Sequence, residues 1–179
     1  VAIPEGGHIY KAWANSTGDA SHRPYPLIHS NIPSPFVNRF YVWLDWDPAS
    51  YSSHAWVSLM TLANTSSWNV VTISTVNSGL MEAAHVGPYN GFDSGDGWER
   101  LGRPYMPLRQ WVPFTVYMDF RAEGDVMYVW MDDELILQAN GGNIDQSSTT
   151  LSRAHWGLYA GGNVHDTVMY NDWIQLWSL

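Results

Sequence analysis

The sequence has no cysteine, which excludes a disulfide framework and thiol chemistry. Cations are scarce: eight Lys and Arg stand against seventeen Asp and Glu, for a formal net charge of −9. That balance excludes nucleic acid as a partner and weighs against a strongly anionic polymer. No apolar run approaches the roughly 20 residues that a membrane-spanning helix needs. No secretory leader is legible around Val1, so the chain is expected to be a mature form or a module of a larger protein. Helical periodicity is missing too, as no long stretch repeats apolar residues at i, i+3, i+4 and i+7.

Aromatic residues are abundant instead. They make up 15% of the 179 residues and include eleven tryptophans. Trp is hard to bury completely, so some of these rings are expected on a face or in a groove. The length fits one domain, residues 1–179, with a sizeable core. Period-2 alternation recurs along it. "RFYVWLDW" sets Phe40, Val42, Leu44 and Trp46 against Arg39, Tyr41, Trp43 and Asp45. Similar runs are "HIYKAWA", "HAWVSLMTL", "WNVVTISTV", "GLMEAAHVG", "PFTVYMDFR", "VMYVWMDDELILQA", "HWGLYAG" and "TVMYNDWIQLW". Asn77-Ser78-Gly79 and Ala122-Glu123-Gly124-Asp125 read as turns, as does "MDDE" at 131–134. About nine or ten strands at this spacing predict an all-β fold of two antiparallel sheets packed face to face. Residues 14–38, rich in proline, and 87–110 read as long loops. On the last strand the alternation sets Tyr170, Asp172, Ile174 and Leu176 against Asn171, Trp173, Gln175 and Trp177. Asn15-Ser16-Thr17 and Asn64-Thr65-Ser66 match the glycosylation acceptor pattern.

The stretches "RFYVWLDW…AWVSLMTLAN", "QWVPFTVYMDF…GDVMYVWMDDELI" and "HWGLYAGG…TVMYNDWIQLW" resemble the concanavalin A-like jelly rolls. That superfamily includes laminin G-like modules and jelly-roll polysaccharide lyases. "WVPFTV" resembles its W-h-x-V strand, and "VMYVWMDDELI" resembles its hairpin, with Asp133 where Gly is usual. The likeness covers roughly residues 37–179. It implies a two-sheet antiparallel jelly-roll sandwich with a concave groove for glycan, and a last strand that returns beside the first.

On that resemblance, strands 39–46, 80–86, 114–121, 126–132 and 155–160 are expected to form the concave sheet. Alternation then nominates Arg39, Tyr41, Trp43, Tyr117, Asp119, Tyr128 and Trp130 as substrate-binding. Met81, Ala83, His85, Thr115, His155 and Tyr159 also point outward on this reading. Aromatic faces stack on the C–H side of a pyranose, and Arg, Asp, His and Tyr bond its hydroxyls. The alginate-lyase branch carries an Arg strand, a Gln-x-His strand and "Y-F-K-A-G-x-Y". Arg39 stands for the first. "AAH" keeps His85 but has Ala83 for Gln, and "RAHWGLY" keeps Tyr159 with His155 for Lys. β-Elimination would then use His85 or His155 as base, Tyr159 as acid and Arg39 to neutralise a uronate carboxylate. A glycosidase would need two facing carboxylates. The candidates Asp45, Glu82, Asp119 and Asp132 do not pair by alternation.

The resemblance further implies one structural calcium held by Glu5, the Ser30-Asn31 loop and Asp172, an oxygen set that suits a hard cation. The leading expectation is a secreted or cell-surface carbohydrate-binding domain whose partner is a polysaccharide or oligosaccharide, a monomer or a module of a larger protein. The rivals are a polysaccharide lyase using the same groove and a laminin G-like adhesion module.

Overall fold

A computed structural model describes residues 9–15, 22–24, 27–51, 55–63, 70–86, 98–100, 104–119, 126–140, 150–161 and 163–179. For His29, Ser30, Asn31 and His85 the backbone alone is described. Twelve strands run through these residues. They are β1 (Tyr10–Ala14), β2 (Leu27–Pro33), β3 (Phe36–Asp45), β4 (Trp56–Ala63), β5 (Val70–Val76), β6 (Met81–Val86), β7 (Trp98–Arg100), β8 (Trp111–Asp119), β9 (Val126–Met131), β10 (Glu134–Asn140), β11 (Thr150–Ala160) and β12 (Thr167–Ser178). The sole helical element among the described residues is a 3-10 turn, Pro48–Ser50, capped by Asp47 through its Oδ1 to the Ala49 N–H at 3.2 Å.

The strands form two antiparallel sheets. One has seven strands in the order β1-β12-β3-β8-β9-β10-β7, and the other has five in the order β2-β11-β4-β5-β6. β12 pairs with β1, so the last strand returns beside the first as expected. The predicted turns at Asn77-Ser78-Gly79 and Asp132-Asp133 are present. Gly79, Asp132 and Asp133 all have positive φ, at 81°, 52° and 63°. Two consecutive left-handed residues make the β9–β10 hairpin a type I′ turn, whose twist matches its strands. The Ala122–Asp125 turn lies outside the described residues.

Alternation drives the packing. β3 is buried at every second residue, so Phe36, Asn38, Phe40, Val42 and Leu44 point inward. Val112, Phe114, Val116 and Met118 of β8 do the same, and Phe40 stacks on Phe114 with ring centroids 5.5 Å apart. From the other sheet come Val57, Met60, Leu62, Ile73, Met81, Ala154, Trp156 and Leu158. One polar link crosses this apolar interior. The Trp156 Nε1–H donates to Asn38 Oδ1 at 2.9 Å, and Asn38 Nδ2 donates to the Gln175 carbonyl at 2.6 Å. The pair ties β11 of one sheet to β3 and β12 of the other.

Two expectations about loops change. Residues 14–38 contain β2, and 87–110 contain β7. Pro33 ends β2, which is an edge strand of its sheet, and an edge tolerates a residue that cannot donate to the ladder. Residues 87–97 and 101–103 lie outside the described set.

Candidate functional site: two faces of the sandwich

The expected groove strands do not share a sheet. β3, β8 and β9 belong to the seven-stranded sheet, whereas β6 and β11 belong to the five-stranded one. Alternation within a strand reveals which residues share a face, but it does not reveal which strands are neighbours. The nominated residues that leave the core therefore fall on two outer faces.

The seven-stranded face carries the aromatics. Its cross-strand register aligns Lys11, Tyr170, Trp43 and Trp111 in one row. Gln175, Arg39, Thr115 and Trp130 make a second, and Trp177, Val37, Tyr117 and Tyr128 a third. Trp43 meets Tyr170 edge-on at 5.3 Å, and Tyr41 lies 5.6 Å from Trp173. Tyr117 stacks on Tyr128 at 6.1 Å, and Tyr128 lies 5.8 Å from Trp130. Arg39 sits with its guanidinium 5.3 Å from the Trp173 ring centre. The structure thus brings together Arg39, Tyr41, Trp43, Tyr117, Tyr128 and Trp130, each half-buried. From β1 to β9 the face crosses four inter-strand steps, about 19 Å.

Asp119 does not join them. It is buried, and its Oδ1 accepts from the Ser34 hydroxyl at 3.2 Å. This carboxylate closes the β2–β3 turn onto the end of β8 instead of meeting solvent.

Sequence reasoning placed Trp173 opposite Tyr170, but both lie on the outer face. A bulge between Asp172 and Gln175 shifts the register against β3, with Trp173 at φ 49°. Beyond it Ile174 and Leu176 pack on the core while Trp177 is exposed. A left-handed Trp has no signature in the sequence, so simple alternation could not anticipate this. Trp13, Trp111 and Lys11 were also missed, although "YKAWA" and "WVPF" alternate visibly.

The five-stranded face is polar. Tyr159 registers with Ser58, Ser58 with Ser74, and Ser74 with Glu82. His155 registers with Thr61, and Thr61 with Thr72. Ser58 Oγ and Thr61 Oγ1 are 3.0 Å apart across the β4 bulge. The outward direction of His155 and Tyr159 follows from their neighbours, since Ala154, Trp156, Leu158 and Ala160 all belong to the core. Tyr159 stands edge-on to Trp56 at 4.8 Å and beneath Arg23 at 5.7 Å. His155 is only 8% exposed.

The four proposed catalytic groups consequently do not converge. Arg39 lies on the opposite side of the sandwich from His155 and Tyr159. His155 and Tyr159 share a strand face, roughly 10–13 Å apart along it. His85 lies on β6, in register with Val71, and its side chain is outside the described residues. Met81, expected outward, is fully buried, and Ala83 packs on the core. The "GLMEAAHVG" stretch alternates too weakly to tell its faces apart.

For a calcium ion, Asp172 is the one proposed ligand whose side chain is described. It is buried, at 6% exposure; Oδ1 accepts from the Trp173 N–H at 2.7 Å, and Oδ2 has no hydrogen-bond partner among the described residues. The backbone of Ser30 and Asn31 runs in β2, in the sheet opposite Asp172, and Glu5 lies outside the described residues. Among the described residues no group of three or more His, Cys, Asp or Glu side chains is placed to hold a metal. The described residues alone therefore do not assemble the expected donor set.

This architecture is a two-sheet antiparallel β-sandwich, the fold expected of a jelly roll. No family model and no curated protein matches the chain. Solved structures do. One is the endo-β-1,4-glucuronan lyase of the fungus Trichoderma reesei, at a TM-score of 0.60 and 11% identity over 96% of this chain and 80% of that one. A glycosyl hydrolase family protein from Mycobacterium fortuitum matches at 0.59 and 12%, over 94% and 74%. The alginate lyase AlyC3 matches at 0.58 and 12%, also over 94% and 74%. At these identities the likeness is one of fold. Among the described residues no helix is long and apolar enough to cross a membrane.

Proposed function

We propose that this domain binds a polysaccharide outside the cell, laying it across the aromatic face of the seven-stranded sheet. The observation that carries the reading is the run of half-buried and exposed Trp and Tyr rings from β1 to β9 on one face. A soluble domain gains nothing from leaving so many large rings partly wet unless they meet a partner. The partner that fits is a sugar chain. Its C–H faces stack on rings, and its hydroxyls bond the Tyr O–H, Trp N–H and Arg39 groups between them. Jelly-roll neighbours that act on polysaccharides support the same class. The test is affinity electrophoresis and calorimetry against soluble β-glucan, xylan and uronate polymers. Trp43→Ala and Tyr128→Ala should each weaken retention by about 1–3 kcal/mol with little change in melting temperature. Retention unchanged by both variants would refute the assignment of this face.

A second reading is favoured by one observation: His155 and Tyr159 share the hydroxyl-rich five-stranded face. That arrangement supports a sugar-processing site, in which Tyr159 supplies a proton and His155 takes one. In this reading Arg153, on the same strand, stands nearer than Arg39 to meet a carboxylate. Independently of either reading, we propose a structural calcium bound through Asp172, as an ion that stabilises the fold without entering the chemistry.

A further inference from the structure

At the β1 edge of the seven-stranded sheet, β1 and β12 frame a cavity of about 450 Å³ lined by Lys11, Trp13, Asn15, Asp166, Thr167 and Val168. It continues the aromatic face. Lys11 registers with Tyr170 in the row that leads to Trp43, and Trp13 registers with Val168. Trp13 is 56% exposed, the most open tryptophan among the described residues. The Lys11 ammonium is held between two rings, 5.9 Å from the centre of Trp13 and 5.6 Å from that of Tyr170. Lys11 is also the one lysine of the chain. Among the described residues it meets no carboxylate, whereas the nearby cation Arg109 is paired with Asp45 at 2.7 Å. On the other rim, the Asp166 side chain is 83% exposed, with its Oδ2 2.9 Å from His165 Nδ1.

We infer that this cavity is a subsite for a uronic acid unit carried on an otherwise neutral polysaccharide. The inference rests on the polysaccharide reading and names the substrate class for it. Three features of the cavity match three features of such a unit. Trp13 offers a ring for the C–H face of the sugar. Lys11, steered by two ring quadrupoles and paired with no carboxylate among the described residues, offers a cation for its carboxylate. Asp166 and Asn15 offer acceptors and donors for its hydroxyls. Charge decides how many uronates the ligand carries. A polyuronate would run its charges along a protein of net charge −9, with one lysine here and Arg39 beyond. A single carboxylate on the Lys11 side of the cavity meets that cation directly and faces one carboxylate, Asp166, across the rim, whereas salt screens charges more than about 8 Å away at physiological ionic strength.

The test uses the full chain made in a bacterial host, so that Asn15-Ser16-Thr17 stays unmodified. Calorimetry compares xylo- and gluco-oligosaccharides with the same oligosaccharides bearing one glucuronate. The decorated ligand should bind about fivefold more tightly, the scale of one exposed ion pair, and the preference should vanish in Lys11→Gln and at about 0.5 M salt. Trp13→Ala should weaken both ligands. Because Lys11 is unique, its acetylation can be followed by mass spectrometry, and free D-glucuronate should slow it while D-glucose should not. Equal binding of both ligands, with Trp43→Ala still weakening retention, would overturn the subsite and leave the polysaccharide reading intact. Failure of every glycan to bind, with Lys11 acetylated at the same rate in glucuronate and glucose, would overturn both.

Discussion

The hydrogen bond from Trp156 to Asn38 offers a quantitative test of how the two sheets are held in register. Trp156 is 1% exposed and Asn38 fully buried, so neither group has water to fall back on. Trp156→Phe removes the donor and leaves Asn38 Oδ1 facing apolar neighbours, which costs about 1–3 kcal/mol. The smaller ring also leaves a void, worth about 1 kcal/mol more. The total, about 2–4 kcal/mol, corresponds to a fall in melting temperature of roughly 5–15 °C for a chain of this size. Asn38→Leu should be comparably harmful, because it orphans the Trp156 N–H and the Gln175 carbonyl that Nδ2 now satisfies at 2.6 Å. The double variant Asn38→Leu/Trp156→Phe removes both partners of the cross-sheet bond. Its cost should fall short of the sum of the single costs by about 1–2 kcal/mol. Urea unfolding followed by the fluorescence of the remaining tryptophans measures all three. Strict additivity, or a Trp156→Phe variant within about 0.5 kcal/mol of the parent, would refute the claim that this bond links the sheets.

The remaining predictions concern the turn, the metal and the two faces. Asp133→Gly should raise stability by about 0.5–1 kcal/mol, because glycine accepts the left-handed backbone at φ 63° without a Cβ penalty; a loss in urea unfolding would contradict it. If calcium binds through Asp172, excess chelator should lower the melting temperature of the parent and leave Asp172→Ala unmoved, whereas identical parent curves with and without chelator would reject the ion. If the five-stranded face processes uronate polymers, His155→Ala and Tyr159→Phe should abolish unsaturated product while sparing retention, and Arg39→Met should leave turnover unchanged because it lies on the opposite face. Loss of turnover in Arg39→Met with His155→Ala fully active would invert that assignment.

Much of the fold was legible because β-structure writes its burial directly into a period of two. "RFYVWLDW" already separates Phe40, Val42 and Leu44 from Arg39, Tyr41 and Trp43, and the structure keeps that division. The same holds for Tyr117, Tyr128 and Trp130, so the aromatic face was readable strand by strand. Turn chemistry at Asn77-Ser78-Gly79 and Asp132-Asp133 was readable as well, since only a few residue types accept positive φ. Strand neighbours were not readable. Hydrogen bonding between strands is made by backbone groups common to all residues, so nothing in the side-chain pattern of β11 says that it pairs with β2 and β4 instead of β3. That is why Arg39 and Tyr159, each correctly read as outward, proved to look out from opposite sides of the sandwich. Bulges are the other limit. The register shift at Trp173 turns one residue against the alternation, and with it brings that ring beside Tyr41. The sequence by itself determined that Arg39, Tyr41, Trp43, Tyr117, Tyr128 and Trp130 leave the core, because their strands alternate strictly there. Only the tertiary structure decided which of them meet, because that depends on pairings far apart in the chain and on local backbone turns that leave no mark in the pattern of side chains.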